Sequence, residues 1–201
     1  MKHILLFFLL SFISYGQDTI IDMGIYKSHF NKILKEPSFV EYILYKGGGT
    51  CKRTDNWIND TKLSMSTTQF NKSGYDKGHL ANAEDFAYSC SLQSKTFRYY
   101  NCIPQTPNLN RGVWKKWETR IREESQKDSL LIICGGVFSN KKIKPESKVI
   151  VPDYCWKVVY SLSKQKILWT LWFLNSKMAQ GNEISFELLK KQLNHPLEIK
   201  Y

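Results

Sequence analysis

Of the four histidines in the sequence, one is set where an imidazole could do chemistry. His3 lies in the extreme N-terminal segment, His29 in a polar stretch and His195 directly before Pro196. His79 sits in Tyr75-Asp76-Lys77-Gly78-His79-Leu80, with a glycine expected to give backbone clearance beside the ring and a carboxylate and a cation within three residues. Imidazole titrates near neutrality and suits a general base, although an isolated histidine more often fills a hydrogen-bonded structural role. A second constellation follows: Asn101-Cys102-Ile103-Pro104-Gln105, then Asn108-Leu109-Asn110-Arg111-Gly112-Val113-Trp114, then Trp117, Glu118 and Arg122. At about 100° per residue on a helix, Asn110, Trp114, Trp117 and Ile121 fall on one stripe. Asn110 is therefore expected to continue an inward, tryptophan-anchored face. Glu118 and Arg122 are expected to pair as i, i+4 neighbours on its flank.

These residues need elements to hold them. Leu109 to Ser125 reads as a helix, because Thr106-Pro107 before it offers an N-cap followed by proline at the first helical position. Ile184 to Leu193 has helical spacing too. Strand composition marks Phe39 to Tyr45, Leu130 to Val137, Lys148 to Val151, Tyr154 to Ser161 and Ile167 to Leu174, with Gly, Asn and Pro bounding them. Several strands with few, non-alternating helices imply an α+β fold with a mixed, largely antiparallel sheet. No repeat, low-complexity tract or Pro- or Ser-rich linker divides 17–201, which is read as one domain.

Together the motifs resemble the DNA/RNA non-specific endonuclease family, the ββα-metal nucleases of the endonuclease G type. That family's Asp-Arg-Gly-His signature is similar to Asp76-Lys77-Gly78-His79, with Lys77 as the one departure. Its Asn-x-x-Pro-Gln, Leu-Asn-x-x-x-Trp and downstream Glu resemble Asn101 to Gln105, Leu109-Asn110 with Trp114, and Glu118. The glycine-containing strand at Ile132 to Val137 and Val151-Pro152-Asp153-Tyr154-Cys155-Trp156-Lys157-Val158 extend the likeness over roughly Phe39 to Leu174. The resemblance implies a ββα-metal motif, with His79 as general base and Asn110 as direct ligand of a magnesium ion, for which Mn2+ could substitute. It further implies that Glu118 is an outer-shell carboxylate, that Asn101 helps position the site, and that Arg53, Lys77 and Arg122 contact phosphate. A magnesium ion keeps most of its waters, so one neutral amide oxygen can serve where no acidic cluster exists. The implied activity is hydrolysis of DNA and RNA leaving 5′-phosphate ends, with contacts aimed at phosphate rather than at base edges.

Composition agrees with such a chain. It has 201 residues, 42% hydrophobic and 23% charged, with 11 Phe, 11 Tyr and 6 Trp, which is enough for one globular core. The excess of 29 Lys and Arg over 18 Asp and Glu gives a net charge of +11 and points to a polyanionic partner. Met1-Lys2-His3 is a basic start, Ile4 to Ser14 is apolar except for Ser11, and Ser14-Tyr15-Gly16 supplies small residues before Gln17. Residues 1–16 therefore read as a signal peptide and the product as secreted or periplasmic, the apolar run falling short of the ~20 residues of a membrane span. Five cysteines (Cys51, Cys90, Cys102, Cys134, Cys155) would enter an oxidising compartment, and an odd number leaves at least one free. Cys134, in an apolar strand, is the favoured free thiol, and no Cys-x-x-Cys spacing suggests zinc. Two other classes stay open. A secreted basic module binding nucleic acid or polysaccharide would explain the charge but not the paired motifs; a metal-independent nuclease or a phosphatase would be insensitive to EDTA or would hydrolyse a monoester.

Overall fold

The computed structural model describes residues 19–59, 65–193 and 195–199; the expected signal peptide lies outside them. Seven strands form one antiparallel sheet in the order β1 (Thr19–Asp22), β2 (Lys27–Asn31), β3 (Glu36–Leu44), β6 (Leu130–Lys142), β7 (Ile150–Ser161), β8 (Lys166–Leu174), β9 (Gly181–Glu183). A separate antiparallel ribbon pairs β4 (Asp76–His79) with β5 (Cys102–Gln105). The helices are short: α1 (Thr67–Phe70), α2 (Cys90–Lys95), α3 (Lys115–Glu124) and α4 (Phe186–Gln192). The α+β, largely antiparallel architecture is the one expected. No helix among the described residues is long and apolar enough to cross a membrane.

The central strand β6 starts Leu130-Leu131-Ile132-Ile133-Cys134, apolar without alternation because both of its faces are covered. Leu130, Ile132 and Cys134 join Val40, Tyr42, Leu44, Val159 and Phe173 in a core closed by Leu80, Phe86, Ile103, Leu109, Trp114 and Ile121. Leu131 and Ile133 point the other way, with Phe39, Trp156 and Val158, to be covered by Leu189 and Leu197. The site is built on the first face. A third cluster of Met65, Phe70, Tyr99, Cys102, Ile143, Val149 and Val151 supports its flank, with Trp57 and Tyr75 packed against it.

The expected strands Lys148 to Val151 and Tyr154 to Ser161 are one element. Pro152 does not interrupt β7, because it pairs with Phe138 at a register shift where the ladder is already irregular. The expected helix Leu109 to Ser125 is two. Thr106 caps it as anticipated, accepting from Leu109 N at 3.4 Å, but Leu109–Trp114 is a π-helical segment with a non-helical Gly112, and α3 begins only at Lys115. Ile184 stays bonded to Thr170 of β8, so the last helix starts at Phe186 behind its N-cap Ser185, which accepts from Leu188 N at 3.1 Å.

Cys51 and Cys90 form a disulfide, joining the irregular segment after Gly49 to α2. Gly49 itself has φ +137° and its Cα lies against the Ala87 backbone, where any Cβ would collide at 2.3 Å. Cys102, Cys134 and Cys155 are free and buried, so the free thiol favoured at Cys134 has two companions.

Candidate active site

A cleft of about 870 Å³ opens between the β4–β5 ribbon, the segment around Arg53 and α3. His79, Lys77, Arg53, Asn110, Glu118 and Arg122 all line it. They arrive from three separated stretches of chain, and the fold brings them together.

His79 ends β4 and is 6% exposed, packed against Trp57 with ring centroids 4.5 Å apart and edge-on to Phe97 at 4.9 Å. Its Nε2 has no hydrogen-bond partner. Burial, with Arg53 and Lys77 adding repulsion, pushes the imidazole down to about 3, so it is neutral at physiological pH. Lys77 lies with Nζ 5.2 Å from the Trp57 ring, and burial lowers its pKa below the ordinary lysine range. Arg53 is exposed, with Nε bonded to Asp55 at 2.7 Å and its guanidinium over Phe97.

Gly78 gives clearance, but not to the imidazole as expected. A Cβ there would lie 2.3 Å from Gln105 Oε1, so the glycine makes room for the buried Gln105 of β5. Asn101, expected to help position the site, lies behind the cleft. It does not line the cleft: it is fully buried, with Oδ1 accepting from Ala81 N at 2.7 Å and Nδ2 donating to Ala81 O and Thr96 O. Its backbone carbonyl also accepts from Leu80 N. Asn101 thus ties down the backbone of Leu80 and Ala81, which follows His79.

Asn110 is not on the tryptophan stripe that a continuous helix implied. The π-helical segment changes the angular register, and Asn110 is half-buried at the cleft, its Nδ2 donating to Asp76 Oδ2 at 3.0 Å. Asp76 is held in turn by Arg111 through two hydrogen bonds of 2.8 and 2.7 Å. With the amide nitrogen committed, the carbonyl oxygen is the Asn110 atom left for a ligand. Glu118 is 7% exposed rather than on a solvated flank. The expected ion pair with Arg122 is replaced, since Arg122 Nε bonds the buried Asp85 at 2.9 Å and Asp85 also accepts from Tyr42 at 2.9 Å. Burial, reinforced by Asp85 and offset by Lys157 and Arg122, raises Glu118 to about 7.

Lys157 was not anticipated in any role. It is 1% exposed, on the same face of β7 as Cys155 and Val159, with Nζ 4.3 Å from the Trp114 ring. Its charge lies within electrostatic reach of both Asp85 and Glu118. The available signal was strand alternation, which turns Lys157 inward with its apolar neighbours. Asp76 stood in the signature, but its partners Asn110 and Arg111, like the pairing of Asp85 with Arg122, carried no comparable signal, because the pairs are 34 to 37 residues apart.

The donor set could hold a metal ion that keeps most of its own waters. Asn110 offers one amide oxygen with Glu118 nearby in the same cleft, and among the described residues no three His, Cys, Asp or Glu gather as a metal cage.

A two-stranded ribbon followed by a kinked helix, laid on one face of an antiparallel sheet and carrying a neutral buried histidine and a clamped asparagine, defines a ββα site on an α+β scaffold. The same scaffold occurs in the crystal structure of the EndoG/EndoGI complex, with a TM-score of 0.68 over 89% of this chain and 84% of that one, at 17% identity. The chain belongs to the DNA/RNA non-specific endonuclease family, whose model matches residues 7–195. Among curated relatives it is similar to a nuclease of Nostoc sp. (36% identity, 57% of this chain and 43% of that protein). It also resembles mitochondrial nuclease EXOG of Danio rerio (30% identity; 44% and 29%) and human mitochondrial endonuclease G (28% identity; 47% and 36%). The matched segment spans less than half the length of each of these relatives.

Proposed function

We propose that the protein is a magnesium-dependent endonuclease that hydrolyses phosphodiester bonds of DNA and RNA without sequence preference, using His79 as general base. The observation that supports this most is the pairing of His79 and Asn110 in one cleft: a buried, unpartnered Nε2 beside an amide whose nitrogen is already tied to Asp76. Arg53, Lys77 and the part of the Arg122 guanidinium not bonded to Asp85 bind the phosphodiester. Trp57 and Phe97 shield one side of the imidazole from bulk water. Nε2 takes a proton from the attacking water, whose oxygen bonds to phosphorus as the bond to the 3′ oxygen breaks, and the leaving 3′ oxygen takes a proton from solvent, giving 5′-phosphate and 3′-hydroxyl ends. The substrate's negative charge offsets Arg53 and Lys77 and raises the basicity of His79 above its value in the free protein. Asn110 would hold the magnesium ion with Glu118 behind it, and the ion supplies positive charge where charge develops on the phosphate oxygens. Contacts to phosphate alone favour broad cleavage of double- and single-stranded substrates. The Cys51–Cys90 disulfide and the leader-like residues 1–16 support a secreted or periplasmic location.

Plasmid nicking with and without EDTA tests the reading. Cleavage should require the metal, His79→Ala should lose on the order of 10² to 10⁴ in rate while still binding DNA, and a phosphate monoester should not be hydrolysed. Asn110→Ala should raise the magnesium requirement or abolish activity. Full cleavage in excess EDTA, or a His79→Ala variant as fast as the wild type, overturns the mechanism; binding without cleavage by the wild type leaves the basic binding module instead.

A further inference from the structure

A second cleft, of about 480 Å³, lies away from the catalytic residues and is lined in part by Lys35, Lys144, Lys148, Ser66 and Thr68. Lys144 and Lys148 belong to the connection between β6 and β7, which with the end of β6 also carries Lys141 and Lys142 and has Glu146 as its acid. Glu146 lines the cleft as well. Among the described residues none of Lys35, Lys141, Lys144 and Lys148 is ion-paired to a carboxylate. Lys144 is held in place, donating to Thr68 O at 3.3 Å. Hydroxyl and amide groups make up the other described lining residues, none of which is aromatic.

This cleft shares its foundation with the catalytic one. Ile143 and Val149, on the underside of the basic connection, pack in the cluster against which Trp57 and Tyr75 lie. Trp57 touches His79, and Tyr75 immediately precedes Asp76. Lys141, at the end of β6, has its Nζ 5.7 Å from the Tyr75 ring. Three ammonium groups against one carboxylate, interleaved with hydroxyls and amides and with no aromatic ring among the described lining residues, match the sugar-phosphate backbone rather than bases.

Resting on the nuclease reading, we propose that the second cleft binds backbone phosphates of the nucleic-acid strand that flanks the scissile bond. The cleft then contributes to affinity for long substrates and not to the chemical step. The test compares wild type with Lys141→Gln/Lys144→Gln/Lys148→Gln and with the single Lys148→Glu. Binding of a labelled 30-nucleotide single strand is followed by anisotropy in EDTA across a salt series, and magnesium-supported cleavage is measured on that strand and on a trinucleotide. The triple variant should bind the long strand about tenfold more weakly at moderate salt, and its slope of log affinity against log salt should shrink by about 2. Lys148→Glu should weaken binding in the same direction. Trinucleotide cleavage should be unchanged. Unaltered affinity and salt slope, or an equal loss on both substrates, would overturn the proposal. A wild type that binds the strand but cleaves neither substrate refutes the nuclease reading instead, since the anisotropy measurement needs no catalysis.

Discussion

Position 77 determines what kind of grip the cleft has on phosphate. A guanidinium could hold two oxygens by parallel hydrogen bonds, whereas the Lys77 ammonium, leaning on Trp57, offers charge with less geometric control. If charge dominates, Lys77→Ala should cost on the order of 10² in kcat. Lys77→Arg should be neutral or gain up to about tenfold. Steady-state rates of the three proteins on one substrate decide this, and a fully active Lys77→Ala variant removes the phosphate contact. Some residues of the cleft were legible in the sequence: His79, Lys77, Asn110, Glu118, Arg122 and Arg53 stand where the family resemblance marks them. Their partners were not. Arg122 bonds Asp85 rather than its helical neighbour Glu118, and Asp76 clamps both Asn110 and Arg111, through contacts that exist only once distant segments meet.

Elements were readable where burial alone dictates them. The apolar runs of β3, β6, β7 and β8 could hardly be anything but sheet interior. By contrast β4 is Asp-Lys-Gly-His, without strand composition, and becomes a strand only because β5 pairs with it, Gly78 opposite Ile103 and His79 opposite Cys102. The ribbon therefore depends on the fit of Gln105 into the space over Gly78. Gly78→Ala should force the buried Gln105 aside, lowering both the thermal midpoint and kcat by moving Lys77 and His79 together. Gly78→Ala/Gln105→Ala should recover part of the stability lost, so that the two changes are less than additive. Strict additivity in the melting data would show that the two side chains do not compete for the same volume.

Over the whole molecule, the two strongly displaced groups of the cleft give stability opposite dependences on pH. His79 titrates near 6.5 when unfolded and about 3 when folded, so its contribution is present above pH 6.5 and is lost as pH falls toward 3. Glu118 titrates near 4.5 when unfolded and about 7 when folded, so its contribution is present below pH 4.5 and is lost as pH rises through 7. Thermal midpoints in EDTA from pH 4 to 8 should show His79→Phe declining less than the wild type on the acid side. Glu118→Gln should decline less between pH 4.5 and 7, where the wild type loses this contribution. Curves parallel to the wild type for both variants would mean that neither group is displaced as the burial implies. The Cys51–Cys90 bond has a consequence of a different sort. The covalent ring it closes contains Arg53, Trp57, Asp76, Lys77 and His79 of the cleft, together with Asp85, which holds Arg122. A protease that cut the exposed stretch after Lys52 or Arg53 would open this ring without releasing either piece. The nicked protein would migrate as one chain until a thiol was added, and as two thereafter.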